Sequence, residues 1–132
     1  NIAANTAIIN ETTRCGFIFM EISKENLELV EKADSIIFLS VLHHMMYEKG
    51  YNYALSLLKC IKSKTKKVLF FDMGQSNEEN QPWAGLLPNM GEDPSVWIKK
   101  LLLDAGFSKV EDLGMTDSYR STSKRNYFAA YV

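Results

Sequence analysis

The sequence predicts an α/β fold in which a mostly parallel sheet carries helices on both faces and includes one antiparallel strand near its carboxyl end. Three observations lead there. The runs Ile36-Ile37-Phe38-Leu39 and Val68-Leu69-Phe70-Phe71 are apolar at every position, the pattern of strands covered on both faces. Segments with apolar residues at helical spacing separate and follow those runs, an alternation that suits parallel strands joined by right-handed crossovers. The last two strand-like segments are joined by a link too short for a helical crossover, so the terminal strand should run antiparallel to its neighbours.

Taken in order, Asn1 to Thr13 has no cap and no initiator methionine. Ile2, Ala3, Thr6, Ala7, Ile9 and Asn10 suggest a helix already under way, with further sequence ahead of Asn1 in the natural protein. Gly16 punctuates, and Phe17 to Ile22 reads as a short strand ending on Glu21 and Ile22. Ser23 and Asn26 mark a helix start, with Leu27, Leu29 and Val30 as its apolar face up to Ala33. Asp34 then opens the central strand. Met45 to Lys49 reads as a polar-edged turn closing on Gly50. From Tyr51 to Lys62, the positions Tyr53, Ala54, Leu57, Leu58 and Ile61 recur at helical spacing, and the lysines that follow favour the negative end of the helix dipole.

Val68 to Asp72 is the next strand, again ending in an acid. Gly74 to Gly91 is one long irregular segment, and loops of that length in a compact domain are usually lids or binding loops. Asp93 and Pro94 start a helix as cap and first-turn residue. Val96, Trp97, Leu101 and Leu102 form its core face, and Gly106 stops it. A strand follows at Lys109 to Leu113, a polar turn at Gly114 to Lys124, and a final strand at Asn126 to Val132.

Composition narrows the function. The 132 residues are 46 % hydrophobic and 23 % charged, with 15 basic against 16 acidic side chains and a net charge of −1. One domain spanning 1–132 with a sizeable core is expected. The charge balance offers no basis for nonspecific nucleic-acid binding or for adhesion to a membrane surface. No apolar stretch approaches the roughly 18 residues of a membrane-spanning helix, and no signal peptide is visible. Cys15 and Cys60 lack metal-ligand spacing and read as buried reduced thiols of a cytoplasmic protein.

The central strand carries the chemistry. It breaks at Ser40 into Val41-Leu42-His43-His44, and parallel sheets place their working residues just past the carboxyl ends of strands. Either histidine can serve as a proton acceptor near neutrality, or be a strand-end histidine held by hydrogen bonds. Two adjacent histidines alone make a poor metal site. Asp72 ends the neighbouring strand, where it would orient a substrate or cap the loop. Trp83 lies in the irregular segment and would cover a substrate or pack the loop down, whereas Trp97 faces the core. Arg120 and Arg125 flank Ser121 to Ser123, as partners for a substrate anion or as a solvated turn.

Ser40-Val41-Leu42-His43-His44 after a strand, Val68 to Asp72, Leu103-Asp104-Ala105-Gly106-Phe107 at a helix end and the closing hairpin together resemble class I S-adenosylmethionine-dependent methyltransferases. The resemblance covers nearly all of the chain from Gly16 onward. It implies a Rossmann-like sheet, a bound S-adenosylmethionine and a small or macromolecular methyl acceptor. It further implies that Glu21 and Ile22 meet the adenine and that Ser40 and Val41 line the methionine end. Beside them one histidine would line the cofactor pocket and the other act as general base, read here as His43 and His44 in that order. Asp72, Trp83 and Arg120 are the candidates for contact with the acceptor. One departure is clear. The glycine-rich turn that follows the first strand of that family, where backbone N–H groups approach the cofactor, is absent, and Asn1 to Thr13 corresponds to the helix after the family's second strand. The sequence therefore reads as the carboxyl-terminal part of a methyltransferase acting on an O or N acceptor. The alternative is a methyltransferase-like interaction module that has lost the cofactor, and a flavodoxin-like nucleotide domain has no phosphate loop to support it.

Overall fold

The computed structural model describes residues 16, 18–78, 80–117 and 123–132. The helix expected at Asn1 to Thr13 lies outside the described residues, as do Cys15 and Arg120. The elements are α1 (Lys24–Glu28), β1 (Ala33–Phe38), α2 (Leu42–Lys49), α3 (Tyr51–Lys64), β2 (Thr65–Phe71), a short 3-10 turn (Ala84–Leu86), α4 (Pro94–Asp104), β3 (Lys109–Asp117) and β4 (Lys124–Tyr131).

Four strands form a sheet in the order β1-β2-β4-β3, with β1 and β2 parallel and β4 antiparallel to both β2 and β3. The reversed carboxyl-terminal strand is thus present, inserted between β2 and β3. The register places Ile36 beside Leu69, Leu69 beside Ala130, Phe38 beside Phe71 and Phe71 beside Phe128. That row is one face of the sheet. Leu42 and Met46 from α2, Ala54, Leu57, Leu58 and Ile61 from α3, and Ile98, Leu101 and Leu102 from α4 join it in one continuous core.

α3 forms for the reason its spacing suggested, since its four buried residues recur every three or four positions. α4 starts where Asp93 accepts from the Ser95 N–H at 2.9 Å and Pro94 fills the first turn. Truncating a fully buried leucine such as Leu57 in this core costs on the order of 2–5 kcal/mol.

Several expectations are corrected. Residues 18–22 do not form a strand. A strand needs a ladder partner, the described sheet offers none beside them, and Phe19 is left 97 % exposed. The helix after Ser23 spans only Lys24–Glu28. Met45 to Lys49 is helix rather than turn, because Leu42 and Met46, one turn apart, both reach the core. Gly50, at φ 89°, then separates α2 from α3. The polar stretch from Gly114 extends β3 to Asp117, and β4 begins at Lys124, two residues earlier than expected. Paired hydrogen bonds and a register shift between Asp112 and Gly114 absorb the glycine there.

The helices described cover one face of the sheet. On the other, the register partners Ile37 and Phe70 are 71 % and 38 % exposed, and the second helical layer expected from the sequence is not found among the described residues.

Candidate functional site

The carboxyl ends of β1 and β2 and the amino end of β4 meet at one edge of the sheet, as the strand directions require. Past β1 the chain turns at Ser40, whose φ of 57° is left-handed, a conformation costing a non-glycine residue roughly 1–2 kcal/mol. What holds it is Asp72, just past β2. Its carboxylate accepts the Ser40 backbone N–H through a very short bond and lies 3.3 Å from the Ser40 hydroxyl.

Arg125, the second residue of β4, reaches the same place. Its NH1 donates to Ser40 Oγ at 3.1 Å and stands 3.7 Å from the Asp72 carboxylate. Its Nε and NH2 grip both oxygens of Glu78 at 2.6 and 2.9 Å, the two-pronged geometry that a planar guanidinium favours. Glu78 Oε1 also accepts the Gln75 N–H at 2.8 Å, which closes the loop after β2 on itself. Arg125, Asp72 and Glu78 are 7 %, 1 % and 2 % exposed. Burial pushes the Asp72 carboxyl above its ordinary pKa, against the opposing pull of the Ser40 N–H and Arg125.

His43 and His44 open α2 after Val41, which sits at the cap position without a side-chain cap bond. His43 is 2 % exposed, and the Gly74 N–H donates to its Nδ1 at 3.0 Å. That bond places the proton of the neutral ring on Nε2. Burial, with the neighbouring His44 and Arg125 adding to it, lowers the His43 pKa to about 3. His44 is exposed, with Nδ1 3.3 Å from the Tyr47 hydroxyl. Trp83 lies over both: its ring centre is 4.4 Å from His43 and 6.5 Å from His44, and the Arg125 guanidinium stacks on it at 5.6 Å. Gly74 is required beneath this stack, because a Cβ there would run into the Trp83 ring and stand 2.8 Å from His43.

Ser40, His43, His44, Gln81, Trp83 and Arg125 line an open cavity of about 190 Å³. The residues named from the sequence therefore divide. Ser40, His43, His44 and Trp83 are brought together around the cavity, and Val41 packs into the core beside them. Asp72 lies under the cavity and holds Ser40, so its carboxylate is engaged by the protein. Glu21 and Ile22 are not among the cavity's lining. Glu21 pairs with Lys49 at 3.3 Å in an exposed contact, and Ile22 lines a separate apolar cavity with Leu27, Val30, Ile36 and Phe38. Arg120 lies outside the described residues.

One residue escaped the sequence reading and another was placed wrongly by it. Glu78 sits in a polar loop and its partner is 47 positions away, a pairing that no local pattern signals. Arg125 was visible as a cation beside the serines, but the solvated turn expected for it is a buried strand position instead. Its place at the start of a strand that continues into Phe128, Ala129 and Ala130 was the available signal.

No family model and no curated protein matches the chain. Solved structures do. WbdD, described as a bifunctional kinase-methyltransferase, superposes with a TM-score of 0.78 at 21 % identity, over 98 % of this chain and 27 % of that one. EvdMO1 superposes with a TM-score of 0.61 at 14 % identity, over 98 % of this chain and 28 % of that one. Magnesium protoporphyrin IX methyltransferase from Synechocystis PCC 6803, solved with bound S-adenosylmethionine, gives 0.59 at 22 % identity, over 98 % of this chain and 52 % of that one. The chain therefore shares its fold with these methyltransferase structures. The chain spans about a quarter to a half of the length of these structures. Among the described residues no helix is long and apolar enough to cross a membrane.

Proposed function

We propose that this chain is part of an S-adenosylmethionine-dependent methyltransferase that methylates an oxygen or nitrogen acceptor. The observation that carries the reading is the cavity where the ends of β1, β2 and β4 converge on Ser40, His43, His44, Trp83 and Arg125. The groups present suit the methionine end of the cofactor. Beneath the cavity one guanidinium faces two carboxyl groups, Asp72 and Glu78, a balance of charge that suits a cationic sulfonium and ammonium. Ser40 and Val41 would hold that end through their backbone, with His43 beside them.

When bound, S-adenosylmethionine supplies a methyl group already activated on sulfur, so the protein contributes mainly placement of the acceptor. Trp83 and Gln81 supply a wall for it. His43, neutral and fixed by Gly74, donates through Nε2 and does not serve as a base. His44, exposed on the cavity rim, takes the acceptor's proton. The acceptor, small or macromolecular, would enter from the side of Trp83, with Asp72 setting that wall from below.

The interaction-module reading keeps a foothold in the bare sheet face at Ile37 and Phe70. Calorimetry with S-adenosylmethionine and S-adenosylhomocysteine, on this chain and on a form with additional natural sequence ahead of Asn1, separates the two. Binding by either form, weakened by Trp83→Ala, is the expected result. Absence of binding by both leaves the interaction module.

A further inference from the structure

We infer that Arg125 is a positioning residue: braced by Glu78, it locks Asp72 and the left-handed turn at Ser40, and so fixes the backbone that the cofactor would meet. Four stretches of chain distant in sequence converge on this guanidinium. They are the turn after β1, the strand end at Asp72, the Gln75–Glu78 loop and the Trp83 segment. Each contact has a direction. Glu78 takes the Nε and NH2 edge of the fork, which aims NH1 at Ser40 Oγ and at Asp72. The hydroxyl that accepts from Arg125 retains its own proton for the Asp72 carboxylate, and the same carboxylate takes the Ser40 N–H.

Ser40 is thereby held by its backbone and its side chain in a conformation that only glycine adopts without strain. The turn borders the cavity on one side and leads directly into α2, which carries both histidines. Relaxing Ser40 toward ordinary φ would re-aim Val41 and the first turn of α2 together. The lock is built for orientation more than for charge, because a lysine at position 125 would keep the cation and lose the fork.

The functional half of this inference rests on the cofactor reading above, while the lock itself does not. The test compares wild type, Arg125→Lys, Ser40→Gly and the double variant. It uses amide hydrogen exchange and calorimetric binding of S-adenosylhomocysteine. Arg125→Lys is expected to speed exchange of the Ser40 amide and to weaken S-adenosylhomocysteine about tenfold, within the range of couplings inside one hydrogen-bond network. The Leu69 to Phe71 amides of β2, held between β1 and β4, should keep their protection. Adding Ser40→Gly to Arg125→Lys should restore most of the affinity, because glycine holds the turn without bracing. An unchanged Ser40 amide in Arg125→Lys overturns the inference. So does a loss of affinity that Ser40→Gly fails to rescue, or a loss of protection spread evenly through β2. If none of these proteins binds S-adenosylhomocysteine, either as this chain or with additional natural sequence ahead of Asn1, the cofactor reading fails and exchange at Ser40 alone decides whether the lock stands.

Discussion

The two ends of the sheet use ion pairs in opposite ways. Near the amino ends of β1 and β2, Lys67 and Asp34 approach to 3.4 Å with side chains 73 % and 63 % exposed. At the carboxyl ends, Arg125 and Glu78 meet at 2.6 Å with side chains 9 % and 0 % exposed. Water screens the first pair and leaves it worth little. The second pair has been taken out of water, so its members depend on one another: removing one partner strands a buried charge, at a cost of roughly 3–5 kcal/mol. Burying such a pair is weak evidence for stability, so its role is better sought in what it holds in place. Here that is the turn at Ser40.

The largest expected effect breaks the buried end. Glu78→Ala should lower unfolding stability by about 3–5 kcal/mol, read as a fall in the urea midpoint at neutral pH. Glu78→Gln keeps the volume and one acceptor oxygen and should cost less. A Glu78→Ala protein as stable as wild type would mean that the guanidinium finds water or Asp72 instead, and the contrast between the two ends would disappear.

An intermediate effect is set by pH. His43 takes up its proton at about pH 3 in the folded chain and near pH 6.5 when unfolded. Between those values the unfolded state binds the additional proton, so the His43 contribution lowers stability as pH falls from about 6.5 toward 3. Asp72 works the other way. Burial raises its pKa in the fold, so acidification through its range favours the folded form. Comparing His43→Asn with wild type isolates the histidine, and the asparagine oxygen remains able to accept the Gly74 N–H. The drop in urea midpoint between about pH 7.5 and pH 4.5 should be smaller in the variant. Equal drops would show that His43 charges freely in the folded protein.

How much of this was legible in the sequence follows from the range of the forces involved. α3 and α4 were readable because their determinants are local: leucines one turn apart, and Asp93 with Pro94 at a start. The reversed last strand followed from the shortness of the link before it. The cluster at Ser40, His43 and His44 was foreseeable because parallel strands deliver their ends to one rim. Residues 18–22 were misread since an apolar run specifies burial, whereas a strand also needs a neighbour. Gly114 looked like a turn and is instead part of a long strand, because pairing with β4 outweighs the weak preference of one glycine. Glu78 and Arg125 meet only after the whole sheet has formed, so nothing within a few residues of either announces the other.

The smallest effect sharpens the comparison from the exposed end. Lys67→Ala removes the partner of Asp34, and the exposed Asp34 carboxylate is then free to be hydrated, so no charge is stranded. The expected change in stability is within about 0.5 kcal/mol. A double-mutant cycle with Asp34→Ala should give a coupling of the same small size, reduced further as salt is raised past the point where the Debye length falls to roughly 3–10 Å. The corresponding cycle of Glu78 with Arg125 should show a coupling several times larger and nearly insensitive to salt, because no mobile ion reaches a pair that lies inside the protein. Similar couplings at the two ends would mean that burial, and not only contact, had been misjudged as the source of the difference.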